Sequence, residues 1–210
     1  MLRDKRTNYQ KSELLESSIL GNPIEQLKQW LDHAIEENVP EPTAMVLSTI
    51  DSNGFPDSRV VLLKEINAEG LVFFTNYNSK KGKQISGNNH VSINIFWPTT
   101  ERQIRIKGIV EKIPEADSED YFKSRPIESQ LGAWASPQSQ IIEGREVLVE
   151  NYKLYQKQFE NQTISKPLHW GGFLISPVSF EFWQGRENRL HDRLEFILSD
   201  QQWIMHRLAP

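Results

Sequence analysis

Near the C-terminus, four basic side chains follow a break between two alternating segments. Residues 180–193 read Phe-Glu-Phe-Trp-Gln-Gly-Arg-Glu-Asn-Arg-Leu-His-Asp-Arg. Phe180 and Phe182 alternate with Glu181 and Trp183, Gly185 interrupts the pattern, and Leu194, Phe196 and Leu198 restart it, so Arg186, Arg189, His191 and Arg193 occupy a polar corner between two strands. A guanidinium offers a rigid fork of donors suited to phosphate or to the polar edge of a heterocycle, and Trp183 offers a flat face for stacking. Solvated charges on a hairpin would give the same pattern, so alternation places the corner without naming a ligand.

Three further groups could bind anions. Arg59 and Lys64 bracket the apolar run Val60-Val61-Leu62-Leu63; five apart, they face opposite sides of a regular strand and the same side only across a bulge. Lys80, Lys81 and Lys83 follow Ser79, a helix cap, and cations at a helix N-terminus oppose its dipole unless an anion sits there. Tyr121, Arg125 and Ser129 recur at intervals of four and would share one face of a continuous helix, which Pro126 bends. Each group also reads as ordinary surface charge. Gln103, at a strand start, either meets water or reads a ring edge.

The elements that carry these groups follow from periodicity. Residues 1–20 form a polar, flexible arm in which Arg6 and Tyr9 could fold over something, and residues 21–210 form a single domain. Asn22 and Pro23 open an amphipathic helix through Ile35 with Trp30 in the core. Ala44 to Ile50 and Ser58 to Ile66 flank an Asp51-Ser52-Asn53-Gly54 turn as a hairpin. Further strands are expected at Leu71 to Thr75, Val91 to Trp97 and Gln103 to Ile113, the last bent by a bulge at Gly108. Helices follow over Ala116 to Lys123, from Arg125 to Trp134, and over Arg145 to Phe159. Strands from Trp170 through the 180s, from Leu194 and over Trp203 to Leu208 close the chain. Strands before and after one helical block disfavour a parallel βαβ sheet and favour a mainly β fold, a closed or split antiparallel barrel with outer helices.

Composition narrows the chemistry. The 210 residues carry a formal net charge of −4, against a general nucleic-acid or membrane-surface binder, and contain no cysteine, which removes thiol catalysis and thiolate metal sites. No apolar run reaches the roughly 20 residues of a membrane span, and the charged N-terminus has no apolar segment after it, so a cytoplasmic location is expected. His33, His90, His169, His191 and His206 have no ligand spacing, and no metal is expected. Neither a Gly-x-Gly-x-x-Gly turn after a strand nor a Gly-x-x-x-x-Gly-Lys-Ser/Thr loop occurs.

Taken together, Arg59-Val60-Val61-Leu62-Leu63-Lys64, Phe74-Thr75-Asn76 with Ser79-Lys80-Lys81, Glu101-Arg102-Gln103, Tyr121 to Ser129 with Gln130-Leu131-Gly132-Ala133-Trp134, and Glu181-Phe182-Trp183-Gln184 with Arg189-Leu190-His191-Asp192-Arg193 resemble the pyridoxine/pyridoxamine 5′-phosphate oxidase family from about Arg6 to Pro210. The resemblance implies an FMN-binding split β-barrel and a homodimer with FMN at the subunit interface. By motif match the FMN phosphate falls to Arg59, Lys81, Gln138 and Ser139, with Lys80 alongside. The flavin ring and ribityl chain fall to Val60, Val61, Leu62, Leu63, Lys64, Phe74, Thr75, Gln103, Trp183 and Arg193. Substrate phosphate falls to Lys64, Tyr121, Arg125 and Ser129, and the pyridine ring to Arg189 and His191, the expected catalytic pair, with Arg6 and Tyr9 of the arm as further substrate contacts. Two positions depart from the family pattern: Lys80 where an arginine is usual, and Glu41 before Pro42 where aspartate is expected.

The implied reaction is oxidation of pyridoxamine or pyridoxine 5′-phosphate to pyridoxal 5′-phosphate. Hydride passes from C4′ to oxidised FMN, water hydrolyses the imine of the amine substrate to release ammonia, and O2 reoxidises the flavin to give H2O2. Another split-barrel flavoprotein, of the flavin reductase or deazaflavin type, and a noncatalytic FMN or pyridoxal-phosphate carrier are the rivals. Neither requires Tyr121, Arg125 and Ser129 together with Arg189 and His191.

Overall fold

Asn22 starts the first helix, α1 (Pro23–Glu36), by accepting hydrogen bonds from the backbone N–H groups of Ile24 and Glu25, with Pro23 at the first helical position. Ile24, Leu27, Trp30 and Ala34 recur on one side of it and are buried. The computed structural model describes residues 1–4 and 7–210, so Arg6 lies outside the described residues.

A hairpin follows. β1 (Ala44–Ile50) pairs with β2 (Pro56–Leu62) from Ala44↔Leu62 to Ile50↔Pro56, and Asp51 Oδ1 closes the turn by accepting from the Asn53 and Phe55 N–H groups. The single strand expected over Ser58 to Ile66 is two: β2 ends at Leu62 and the two-residue β3 (Glu65–Ile66) pairs instead with β4 (Leu71–Asn76). The chain changes partner between them, the Leu63 N–H bonding back to Thr43 O and the Lys64 N–H across to Val72 O.

Next come α2 (Lys80–Gly87), β5 (His90–Trp97) and β6 (Arg102–Lys112), then the helical block α3 (Glu115–Ser124), α4 (Ile127–Ala135) and α5 (Arg145–Gln158), and finally β7 (Trp170–Gln184), β8 (Asp192–Ser199) and β9 (Gln202–Arg207). All ladders are antiparallel and form one sheet in the order β2-β1-β5-β6-β7-β4-β3, with β8 and β9 continuing from β7. β7 borders two groups: its first half pairs with β4, its second half with β8, and β6 runs along most of it. The β6–β7 register shifts between Lys107 and Gly108, and a Cβ at Gly108 would lie 2.8 Å from Ser176 O, so glycine permits the bend there. The sheet curls until its two edges, β2 and β4–β3, face each other across a seam with no ladder between them. This is a split antiparallel barrel with helices outside.

Met45, Leu47, Ile93, Ile95, Ile104, Ile106, Phe180, Phe182, Leu194 and Phe196 fill the barrel from alternate positions of five strands. A smaller cluster of Phe122, Leu131, Ile164 and Trp170 attaches the helical block to the start of β7.

Candidate functional site: a cavity on the seam and a corner at the far end of β7

The seam holds a cavity of about 570 Å³. Val60, Val61 and Leu62 of β2 form one wall, Phe74, Thr75 and Asn76 of β4 the other, and α3 and α4 cover it. Only one side of β2 is paired, so part of its backbone donors and acceptors face the seam. Val60 and Leu62 are exposed hydrophobic residues there.

One end of the cavity is cationic because of α2. Ser79 caps this helix by accepting from the Gly82 N–H, which turns Lys81 inward. Lys81 is 8% exposed, and its Nζ donates to Thr75 Oγ1 at 3.3 Å and Gln138 Oε1 at 3.4 Å, with no carboxylate in ion-pair range among the described residues. Burial, and then the Arg59 charge, lowers the Lys81 pKa, while Asp57 opposes the shift. Arg59 sits behind this lysine, donating to Leu47 O, Thr49 Oγ1 and Gln84 Oε1 and pairing with Asp57 at 3.0 Å. Lys80 turns the other way and pairs with Asp57 at 2.9 Å. The Lys80 hydrogen bond, reinforced by Gln84, holds the Asp57 carboxyl below the usual carboxylate range. Gln138 lines the cavity, and Ser139 follows it, exposed and at a left-handed φ of 67°.

At the other end stand Lys64, Tyr121, Arg125 and Ser129. One continuous helix does not unite the last three: α3 stops at Ser124, Arg125 is extended at φ −73° and ψ 149°, and Pro126 precedes α4. The residue before a proline is driven out of the α region, so the helix ends where the sequence pattern continued. The three side chains still line one cavity, from the last turn of α3, the corner and the first turn of α4. The Arg125 guanidinium lies 4.6 Å from the Trp170 ring centre, and its Nη1 is buried with no hydrogen-bond partner. Burial lowers its pKa. Phe74 stacks on Tyr121 with centroids 3.8 Å apart.

The remaining sequence candidates form a second group. Gln103 of β6 is directly opposite Trp183 of β7, which is opposite Arg193 of β8, so the three stand in one row on the outer face of the sheet. Arg193 donates from Nε to Glu181 Oε1 at 2.8 Å and from Nη1 to Ala209 O at 2.7 Å, and the Glu181 bond raises its pKa. The Trp183 and His191 ring centres are 4.7 Å apart, and Tyr9 sits edge-on to both at 5.5 and 5.8 Å. His191 Nδ1 accepts from the Arg186 N–H. Burial, and then Arg189, lowers the His191 pKa, with Asp192 opposing. Arg189 is exposed at φ 63°, after Asn188 at φ 55°.

Within one chain these two groups are separate: Gln103, Trp183, Arg189, His191 and Arg193 do not line the cavity. Leu63 is buried in the core beneath the cavity wall, and Glu41 is an exposed turn residue at φ 48°. The sequence patterns missed Trp170, whose ring backs Arg125, and Asp57, which arranges Arg59 and Lys80. Trp170 had a signal, an aromatic residue opening a strand; Asp57 had none. Among the described residues no cluster of three or more His, Asp or Glu could hold a metal ion, and no helix is long and apolar enough to cross a membrane.

Known proteins match along the whole chain. The family model described as pyridoxamine 5′-phosphate oxidase matches residues 31–158, and that described as the pyridoxine 5′-phosphate oxidase C-terminal dimerisation region matches residues 170–210. A pyridoxine/pyridoxamine 5′-phosphate oxidase of Synechocystis sp. is 50% identical over 209 residues, covering 100% of this chain and 98% of that protein. The one from Actinobacillus succinogenes is 49% identical, with coverages of 100% and 99%. Among solved structures, PhzG from Burkholderia lata, in complex with tetrahydrophenazine-1-carboxylic acid, superimposes with a TM-score of 0.89 at 27% identity, covering 96% of this chain and 100% of that one. A pyridoxamine 5′-phosphate oxidase-related, FMN-binding protein from Nostoc punctiforme shares the fold, with a TM-score of 0.71 at 18% identity and coverages of 90% and 98%. With the geometry of cavity and corner, these matches place the chain in the pyridoxamine 5′-phosphate oxidase family.

Proposed function

We propose that the protein oxidises pyridoxamine 5′-phosphate and pyridoxine 5′-phosphate to pyridoxal 5′-phosphate with FMN as cofactor and O2 as acceptor. The observation that carries this reading is the pair of anion receivers in one cavity. Lys81 at one end has no carboxylate partner, Arg125 at the other has a buried Nη1 without any partner, and an apolar strand edge runs between them. A buried cation without a counter-ion is costly, so each end gains from a phosphate group.

The donor set fits FMN. Lys81 and Gln138, which line the cavity, would hold its phosphate, with Arg59 behind Lys81 and Ser139 next to Gln138 in support, and the β2 edge from Val60 to Leu62 would receive the flat ring. When bound, FMN would supply the acceptor for hydride from the substrate C4′ and the route of the two electrons to O2, which gives H2O2. Lys64, Tyr121, Arg125 and Ser129 fix the substrate phosphate, which orients C4′ and excludes water from that end. Arg189 and His191 bind the pyridine ring edge, and because His191 Nδ1 accepts from the Arg186 N–H, the neutral ring that burial favours carries its proton on Nε2, which can donate to a polar atom of the substrate. Arg193, held by Glu181, supplies positive charge to the site.

The corner does not reach the cavity in one chain, and the C-terminal region matches a dimerisation region. The reading therefore takes the protein as a homodimer in which the corner of one subunit completes the cavity of the other. Aerobic incubation of the FMN-loaded protein with pyridoxamine 5′-phosphate tests it. Pyridoxal 5′-phosphate and H2O2 are expected in equal amounts. Flavin binding with neither product would leave a carrier or another split-barrel flavoenzyme.

A further inference from the structure

Glu101 belongs to the Glu101-Arg102-Gln103 motif, and nothing above gives it a role. It sits in the turn between β5 and β6, 6% exposed and at φ 56°, a left-handed conformation that is uncommon away from glycine and asparagine. Its Oε2 accepts from two successive backbone N–H groups of the N-terminal segment, Gln10 at 2.8 Å and Lys11 at 2.9 Å. Its main-chain oxygen accepts from the Gly185 N–H at 2.8 Å and from Gln184 Nε2 at 3.2 Å. One residue thus ties residues 10 and 11 to the end of β7.

Tyr9, adjacent to those two amides, is the consequence. Its ring meets Trp183 and His191, and its side chain lies so close to Gly185 that a Cβ there would be 2.6 Å from Tyr9 Cγ. A second carboxylate fastens the segment further on: Asp192, next to His191, accepts from the Leu14 N–H at 3.1 Å. Backbone amides held by a carboxylate form charge-assisted bonds, whereas the other ties at residues 10–13, from the Gln10 side chain to Glu187, from Lys11 Nζ to Thr99 O and from Arg186 to Glu13, are made by exposed side chains, so losing the Glu101 bonds would loosen the segment.

We infer that Glu101 is a positioning residue: by clamping the Gln10 and Lys11 amides it seats Tyr9 on Trp183 and His191, and so sets how tightly the site holds its pyridine phosphate ligand. The substrate part of this rests on the proposed function; the clamp itself does not.

The test uses the FMN-loaded full chain with Glu101→Gln, Glu101→Ala, Tyr9→Ala and the Glu101→Ala/Tyr9→Ala pair, together with Gly185→Ala, which crowds Tyr9 and leaves the Glu101 carboxylate in place. Four quantities are read: tryptic cleavage after Lys11, the dissociation constant for pyridoxal 5′-phosphate, and KM and kcat for pyridoxamine 5′-phosphate. Losing two charge-assisted bonds should speed cleavage after Lys11 and raise KM and the dissociation constant by about 10-fold, with kcat changing less. Gly185→Ala should reproduce the affinity loss. The double variant should be no worse than Tyr9→Ala, because both changes remove one contact. Glu101→Gln, which keeps an acceptor, should recover part of the affinity and serves if Glu101→Ala does not fold. Unchanged cleavage and affinity in Glu101→Gln and Glu101→Ala would overturn the inference, as would additive losses in the double variant. If the wild-type protein binds pyridoxal 5′-phosphate but does not oxidise the amine, the proposed function falls, while the cleavage and affinity series still decides the role of Glu101.

Discussion

Lys80 and Lys81 are neighbours in sequence and diverge in space: Lys80 Nζ lies 2.9 Å from Asp57 Oδ2, while Lys81 Nζ enters the seam cavity 3.3 Å from Thr75 Oγ1. Ser79 causes the divergence, because capping α2 fixes the rotation of its first turn.

Lys81→Met should therefore weaken FMN binding by about 10- to 100-fold, the range for losing one hydrogen bond to a charged group, and Lys80→Met by much less. Quenching of flavin fluorescence on titration measures both. Equal losses would mean that Lys80 leaves Asp57 to join the phosphate.

Arg125→Met removes a half-buried cation whose buried Nη1 has no partner among the described residues. KM for pyridoxamine 5′-phosphate should rise by about 10- to 100-fold. Thermal stability should be kept or slightly improved, since an uncompensated charge leaves a buried position. A lower melting temperature together with an unchanged KM would contradict this account of the cavity.

The depressed His191 pKa has a defined sign. Burial and Arg189 disfavour the imidazolium, so between the ordinary and the lowered value the unfolded chain binds more protons than the folded one, and the histidine's effect on stability turns unfavourable as pH falls through that window. Its C2 proton resonance should titrate below the ordinary imidazole range, and Arg189→Gln should move the midpoint up. A midpoint at or above the ordinary value would remove neutral His191, with its proton on Nε2, as the form that meets the substrate near neutrality.

Gly82→Ala tests the frame beneath Lys81. A Cβ at Gly82 would lie 2.2 Å from Tyr77 O, a backbone atom that cannot turn aside. A cost of about 1–3 kcal/mol is expected from such overpacking, read as a lower melting temperature. FMN affinity should fall with it, because α2 would shift and carry Lys81 away.

Local rules made much of the scaffold legible. Asn22 with Pro23, the Asp51–Gly54 turn and the bend at Gly108 each depend on residues near one another in sequence, and all three stand as expected. Nonlocal relations were not legible. The helical spacing of Tyr121, Arg125 and Ser129 pointed to one helix face, but the Arg125–Pro126 break brings them together by a corner instead. Arg59 and Lys64 were open between one face and two, and the partner change after Leu62 decided it, sending Lys64 into the cavity and Arg59 behind Lys81. The row of Gln103, Trp183 and Arg193 depends on the register of three strands, and Glu101 matters through a segment 90 residues away in the chain.

β7 carries Trp170 beside the cavity at its first residue and Trp183 in the corner near its last. If two subunits exchange corners as proposed, a catalytic centre is inherited half from each parent chain. Two impaired variants, Arg125→Met and His191→Gln, assayed at substrate levels well below the raised KM of the first, would then complement each other: a heterodimer pairs both lesions in one centre and leaves the other wild type. Mixing the denatured variants and refolding them together should restore activity that neither regains alone, whereas a centre contained in one chain would stay silent in every mixture.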